Sequence, residues 1–286
     1  VANAQRARDA TAEPGNRYKV LSELVEFVAP DGAIVVGTVW RPDDGNASGS
    51  SRGAVLLCHG WGGIRAHLDS TYARVFAQHG LVALTFDYRS WGDSEPPFNG
   101  ACGLKLVSPT LQLQDIAAAL AFLSTRVAGV DPARIGAWGS SLGGGHVLSL
   151  AGQSGSRVAA IVSQVPAARP VELLPDSKAR QEHKAALVAK GGPEPFADGP
   201  IPTKPEWAGV GIDGRIRLTE MEQYSPLANA EGITCPTLII DAAEEELFHV
   251  PSNGEAVVAK LKAKGVAVEY KICGGKHYGI YDQPNY

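Results

Sequence analysis

Short, almost wholly apolar bursts recur through the chain: GAVLLCHG, LVALTFDY, RIGAWGS, RVAAIVSQV, PTLIIDA and VAVEYKIC. Each is too short to be a buried helix. Most lack the alternation of a strand with one wet face, so they fit strands covered on both faces. Helix-like segments separate them. In 110–127, Leu113, Ile116, Ala117, Leu120, Leu123 and Val127 share one helical face, while 251–265 opens on Pro251 and Ser252 and closes on Lys264-Gly265. Strand and helix in alternation, joined by right-handed crossovers, predict an α/β fold: a mostly parallel sheet of about eight strands flanked by helices. Ahead of the first burst, LVEFVAP (24–30) and AIVVGTVWRP (33–42) flank Asp31-Gly32. That is a hairpin signal, and it would give the sheet an antiparallel edge.

Two regions break this rhythm. Residues 1–22 carry no core pattern up to about Arg17 and read as an N-terminal extension, with 23–286 as one domain. Ala2-Asn3-Ala4 is similar to the tail of a signal-peptide cleavage site, so cytoplasmic and exported readings both stand. Between RVAAIVSQV and PTLIIDA the strand pattern lapses, and 191–214 is rich in Pro and Gly. A structureless loop of that length is improbable in a compact domain, so a cap insertion is expected over about 166–230, with Phe196, Trp207 and Met221 as pocket-lining or cap-core residues. Composition excludes some functions. At 44% hydrophobic residues and a net charge of -4, with Lys and Arg scattered, the chain shows no basic stripe for nucleic acid. It also has no apolar run of the roughly 18–20 residues that span a bilayer. Cys58, Cys102, Cys235 and Cys273 lack CxxC spacing and read as buried free thiols. Nothing here decides whether the chain associates with further copies of itself.

The chemistry concentrates at GAWGSSLGGG (136–145). RIGAWGS reads as a strand and SLGGGHVLSLAG as the start of a helix, so Gly139-Ser140-Ser141-Leu142-Gly143 is the turn between them. Only Ser141 has glycine two residues to either side, and this G-x-S-x-G frame makes a sharp elbow that lifts the central hydroxyl above a sheet. The Lys of a phosphate loop and the spacing of a dinucleotide fingerprint are both absent. A serine nucleophile needs a base, and an acid to orient that base, in the chain order Ser, acid, His. His277, in GGKHYG after the last strand, is in the expected place; His59, His67, His79, His146, His183 and His249 fit less well. The acid should follow PTLIID. Glu245 lies deepest in that turn, while Asp241, Glu244 and Glu246 are the alternatives. Finally, GAVLLC runs into His59-Gly60-Trp61-Gly62-Gly63, whose backbone could face the site. The N–H groups of Trp61 and Leu142 would then form an oxyanion hole.

With HGWGG, FDYRSWGDSE, GSSLGG, EEELF and GGKHYG in this order, the chain resembles the α/β-hydrolase superfamily over about residues 23–281. Within it, the chain is similar to dienelactone-hydrolase-like and X-Pro-dipeptidyl-peptidase-like bacterial esterases, a group that shades into polyketide acyltransferases. The resemblance implies an α/β-hydrolase fold with a cap, and it places the acid at Glu245, where the family has Asp. It also implies that Asp87 and Arg89 form a structural ion pair, with Trp91 bordering the pocket. The expected activity is cleavage of a small-molecule carboxylic ester through an acyl-enzyme on Ser141, His277 and Glu245, with no metal or organic cofactor. Acyl transfer or thioester hydrolysis on the same residues is the alternative, and non-catalytic binding is a third reading.

Overall fold

In the computed structural model, the described residues are 7–8, 18–43, 51–94, 106–170, 196–198 and 215–281. A nine-stranded sheet runs through them in the order β1-β2-β3-β5-β4-β7-β8-β11-β12. The expected hairpin is present as β2 (Lys19–Val28) and β3 (Ile34–Asp43), paired antiparallel about Asp31-Gly32. β1 (Ala7–Arg8) adds two residues along β2, so residues 19–22, assigned by sequence to the extension, belong to the sheet. The apolar bursts become β4 (Arg52–Cys58), β5 (Val82–Phe86), β7 (Val130–Ser140), β8 (Ile161–Gln164), β11 (Thr237–Ala242) and β12 (Val268–Cys273). These six pair parallel throughout. β6 (Leu106–Val107), β9 (Phe196–Asp198) and β10 (Arg215–Arg217) form a separate small sheet.

The burial of β4 shows why its sequence does not alternate. Val55 and Leu57 pack with Leu68, Ala73, Ala83 and Trp138 on one face. Ala54, Leu56 and Cys58 pack on the other with Leu84, Ile116, Leu123, Val147 and Leu148. Each face therefore gains about 1.5–3 kcal/mol per fully buried large aliphatic side chain, and neither tolerates a polar one. The first face is covered by α1 (Ala66–Leu68), a π-helical turn at Asp69–Ala73 and α2 (Arg74–Gln78). The second is covered by α3 (Pro109–Thr125) and α4 (Leu142–Gly152), with the helix Gly254–Ala263 adding Val257, Val258 and Leu261. α3 starts where its signals say: Ser108 caps it by accepting from Leu111 N–H, and Pro109 follows. The helix expected over 251–265 begins later, because Pro251 and Ser252 sit in a 3-10 turn and Asn253 is the cap.

Most of the expected cap, with Trp207 and the side chain of Phe196, lies outside the described residues, as does Cys102. Met221, within the cap range, is fully buried in the main core. Cys58, Cys235 and Cys273 are free thiols. Among the described residues, no helix is long and apolar enough to cross a membrane.

Candidate active site

Four turns at the carboxyl ends of parallel strands carry the sequence-selected residues: 59–63 after β4, 140–142 after β7, 243–248 after β11 and 274–278 after β12. Open parallel sheets bind ligands at this end, outside the strands. The groove of about 730 Å³ between α3, α4 and the start of β7 lies at the other end, lined by Leu120, Pro132, Ile135 and Leu150 among others, and is not part of this site.

Ser141 caps α4 with φ 59° and ψ -119°, a conformation few non-glycine residues adopt. The surroundings compel it. A Cβ on Gly139 would run into the Gly143 carbonyl, and one on Gly143 into the Cys58 carbonyl. The two glycines of the motif are there because β7, α4 and the end of β4 touch backbone to backbone. Gly60 is equally tight, since a Cβ there would stand 2.9 Å from Ser141 Cβ. The 59–63 turn therefore borders the serine. Neither Trp61 N–H nor Leu142 N–H donates to a backbone carbonyl among the described residues. For Leu142 this is the ordinary state of a first-turn amide.

His277 is fully buried, and its Nδ1 lies 2.9 Å from both carboxylate oxygens of Glu245. That carboxylate is itself held, with Oε1 accepting from Leu247 N–H at 2.9 Å and Phe248 N–H at 3.2 Å. The other three carboxylates are elsewhere. Glu246 Oε2 accepts the backbone N–H of His277 at 3.0 Å, Glu244 is exposed, and Asp241 accepts from the Tyr270 hydroxyl at 2.9 Å. Burial pushes the Asp241 carboxyl up to about 6. A carboxylate on Nδ1 fixes the tautomer, because it can only accept: Nδ1 carries the proton and Nε2 the lone pair. That Nε2 is buried and has no hydrogen-bond partner among the described residues.

The remaining histidines differ in kind. His146 Nδ1 meets the Tyr224 hydroxyl at 2.6 Å and Nε2 meets Gln112 Oε1 at 3.1 Å, so both nitrogens are committed. His59 Nδ1 bonds the Gly60 carbonyl at 2.9 Å, and its ring stacks edge-on against Tyr88 at 4.4 Å, which stiffens the 59–63 turn. Burial lowers the His59 pKa to about 4.

The Asp87–Arg89 pair inferred from resemblance does not form. Asp87 takes the Arg65 guanidinium, and accepts the backbone N–H of Arg65 at 2.7 Å. Arg89 pairs with Asp31 and with fully buried Asp115, whose Oδ1 accepts from Nη2 at 2.6 Å and from Nε at 2.9 Å. Both ions are thus structural, but they pin different layers: Arg65 ties the 59–65 turn to the end of β5, and Arg89 ties α3 to the hairpin. Trp91 is 3% exposed within the core, its indole N–H donating to the Leu106 carbonyl at 2.8 Å. Among the described residues no three His, Cys, Asp or Glu side chains cluster as metal ligands would.

The Ser141 elbow and the carboxylate-held His277 both stand at the carboxyl ends of the parallel strands, and comparison with known proteins gives the class. The model of the alpha/beta hydrolase family matches residues 55–285. An uncharacterized 31.7 kDa protein of the traX-finO intergenic region of Escherichia coli is 32% identical over 251 residues, covering 80% of this chain and 84% of that one. The thiohydrolase apmlB of Arthrinium phaeospermum is 32% identical over 277 residues, covering 84% and 85%. In fold, the structure of Est1E from Butyrivibrio proteoclasticus with ferulic acid bound matches with a TM-score of 0.63 at 18% identity, over 91% of this chain and 93% of that one. The chain belongs to the alpha/beta hydrolase family. It is a hydrolase.

Proposed function

We propose that this hydrolase cleaves carboxylic esters through an acyl-enzyme on Ser141, with His277 as base and acid and Glu245 as the group that orients it. The observation that carries the reading is the buried His277, bound to Glu245 through Nδ1 and unpartnered at Nε2. His59 Nε2 is buried and unpartnered among the described residues as well, but its Nδ1 meets a backbone carbonyl, so the carboxylate on Nδ1 is what sets His277 apart: it can balance the charge of an imidazolium. In the reaction, Nε2 takes the Ser141 proton as Oγ bonds to the substrate carbonyl carbon. The carbonyl oxygen gains the negative charge, which the N–H groups of Trp61 and Leu142 stabilise, aided by the N-terminal end of α4. The imidazolium, balanced by Glu245, then gives its proton to the departing alkoxide. Water repeats the sequence on the acyl-enzyme: His277 takes a proton from it, and the Ser141 oxygen leaves with that proton. A cap over about 166–230 would set the size of the acyl or alcohol group admitted.

A second reading is thioester cleavage on the same residues, favoured by the relative named as a thiohydrolase, which matches most of this chain. The chemistry at Ser141 is shared; only the leaving group changes. A matched series of acetyl, butyryl and octanoyl esters of p-nitrophenol, and the corresponding N-acetylcysteamine thioesters, separates the two. The ester reading expects a pre-steady-state burst of nitrophenol and kcat/KM for the best ester above that of every thioester. If the thioesters lead, the second reading holds. If neither series is turned over faster by the wild type than by Ser141→Ala, both readings fail.

A further inference from the structure

The segment that follows β8, Gln164-Val165-Pro166-Ala167, grips Ser141 from both sides. The Gln164 carbonyl accepts the Ser141 N–H at 2.9 Å, and the Ala167 N–H donates to the Ser141 carbonyl at 2.9 Å. Gln164 Nε2 also reaches Ser140 Oγ at 3.3 Å. Between these two anchors stands Val165, with φ 37°. A β-branched residue is an outlier at positive φ, and one preceding proline is steered to extended backbone. Such a conformation persists only where its surroundings over-determine it.

Those surroundings can be named. The Val165 N–H donates to the Ile240 carbonyl on β11 at 2.6 Å. Its side chain, 1% exposed, packs with Ala242, Cys273 and Ile280. Ala242 ends β11 just ahead of Glu245, Cys273 ends β12 just ahead of His277, and Ile280 follows His277 in the 3-10 turn Gly279–Tyr281. One residue thus has its chain neighbours bonded to the serine and its side chain wedged among the segments that bear the acid and the base.

The geometry points to Val165 as a positioning residue: its left-handed turn seats Ser141, and its side chain sets the spacing between Ser141 and the Glu245–His277 pair. The inference rests on the serine-hydrolase reading above and adds to it a residue that never meets the substrate. Removing its two methyl groups leaves a void into which the ends of β11 and β12 can settle. The base then shifts relative to the serine while every reacting group stays intact, and a shift of this kind degrades rate rather than binding.

The test compares Val165→Ala with Val39→Ala, an equally buried valine of β3 remote from the site, and with Val165→Thr, which keeps the branched shape but buries a hydroxyl. All are assayed well below their melting temperatures. Val165→Ala is expected to lower kcat by about ten- to a hundredfold with KM within about twofold. The rate of fluorophosphonate labelling at Ser141 should fall in parallel, and the base limb of the kcat/KM–pH profile should move. Val39→Ala should lose stability and keep kcat. Val165→Thr should lose stability yet keep kcat within about threefold, because the shape at the wedge is unchanged. If Val165→Ala does not fold, Ile280→Ala removes the same contact from the His277 side and carries the same expectation. The inference is overturned if kcat in Val165→Ala, or in Ile280→Ala in its place, falls no further than in Val39→Ala, or if kcat simply tracks melting temperature across the set. Activity persisting in Ser141→Ala would instead overturn the reading beneath it.

Discussion

His146 and His277 are both fully buried imidazoles within the same fold, yet their hydrogen bonding differs. His146, on α4, has the Tyr224 hydroxyl on one nitrogen and Gln112 on the other, with the Tyr88 and Tyr224 rings against it at 5.6 and 5.3 Å. Burial, reinforced by the nearby His59, lowers its pKa to about 3, so it stays neutral. His277 has a carboxylate on one nitrogen and no hydrogen-bond partner among the described residues on the other, with the Phe248 and Tyr278 rings against it at 5.2 and 5.0 Å. The difference lies in the count of committed nitrogens rather than in burial. An imidazole satisfied twice is a strut. One satisfied by a carboxylate and open at the far side can take a proton and be stabilised while holding it.

The largest expected effect breaks this comparison directly. His277→Ala should lower kcat by about a millionfold, near the loss from removing the serine itself, because the two act as a unit. His146→Ala should leave kcat within about tenfold but cost about 2–4 kcal/mol in stability, since it opens a cavity and strips partners from Tyr224 and Gln112. Paired kinetics and chemical denaturation on the two variants check this, and a crossed result would reverse the roles.

A smaller effect separates the carboxylates. Glu245→Gln preserves shape but presents an amide to Nδ1, so the imidazolium loses its counter-charge and the tautomer its lock. A loss of about 10³–10⁴ in kcat is expected. Asp241→Asn, whose partner is Tyr270, should cost about threefold or less in kcat, since surrounding structure rather than the base feels the change. Steady-state assays of both would expose an exchanged assignment.

The smallest effects are in the pH dependence of stability. His59 and His146 have folded pKa values lowered to about 4 and about 3 from 6.5, so each takes up a proton on unfolding below pH 6.5. Their contribution is whole above that value and is lost as the pH falls toward 4 and 3. Asp241 runs the other way. With its folded pKa raised from 3.8 to about 6, its contribution is whole below about 3.8 and is lost as the pH rises through 6. His146→Gln should therefore flatten the fall in melting temperature between pH 7 and 4, and Asp241→Asn should steepen it. Thermal scans across that range read both slopes.

Much of this arrangement was legible in the chain, because backbone-level features leave local signals. Apolar bursts with both faces buried marked β4 and its neighbours, and the glycines flanking Ser141 marked a turn where three backbones touch. What was not legible depends on side-chain partners set by the tertiary fold. FDYRSWGDSE shows an aspartate and an arginine two residues apart, but Asp87 finds Arg65 and Arg89 finds Asp115. On a strand end, neighbours at that spacing share a face without sharing a partner, and nothing in the sequence marks Arg65. Val165 is harder still: the local rule for a residue before proline predicts extended backbone, and only the grip of β11 and Ser141 reverses it. Glu246, which the sequence offers only as an alternative acid, holds the His277 amide instead.

The central claim is that Ser141, and not the adjacent Ser140, is a nucleophile activated by His277. The most direct measurement treats the folded wild type, His146→Ala and His277→Ala with a fluorophosphonate and maps the adduct by peptide mass spectrometry. Stoichiometric labelling of Ser141 alone is expected in the wild type and in His146→Ala, with labelling slowed by at least about a thousandfold in His277→Ala. An adduct on Ser140, no adduct in folded wild type, or equal labelling rates with and without His277 would contradict it.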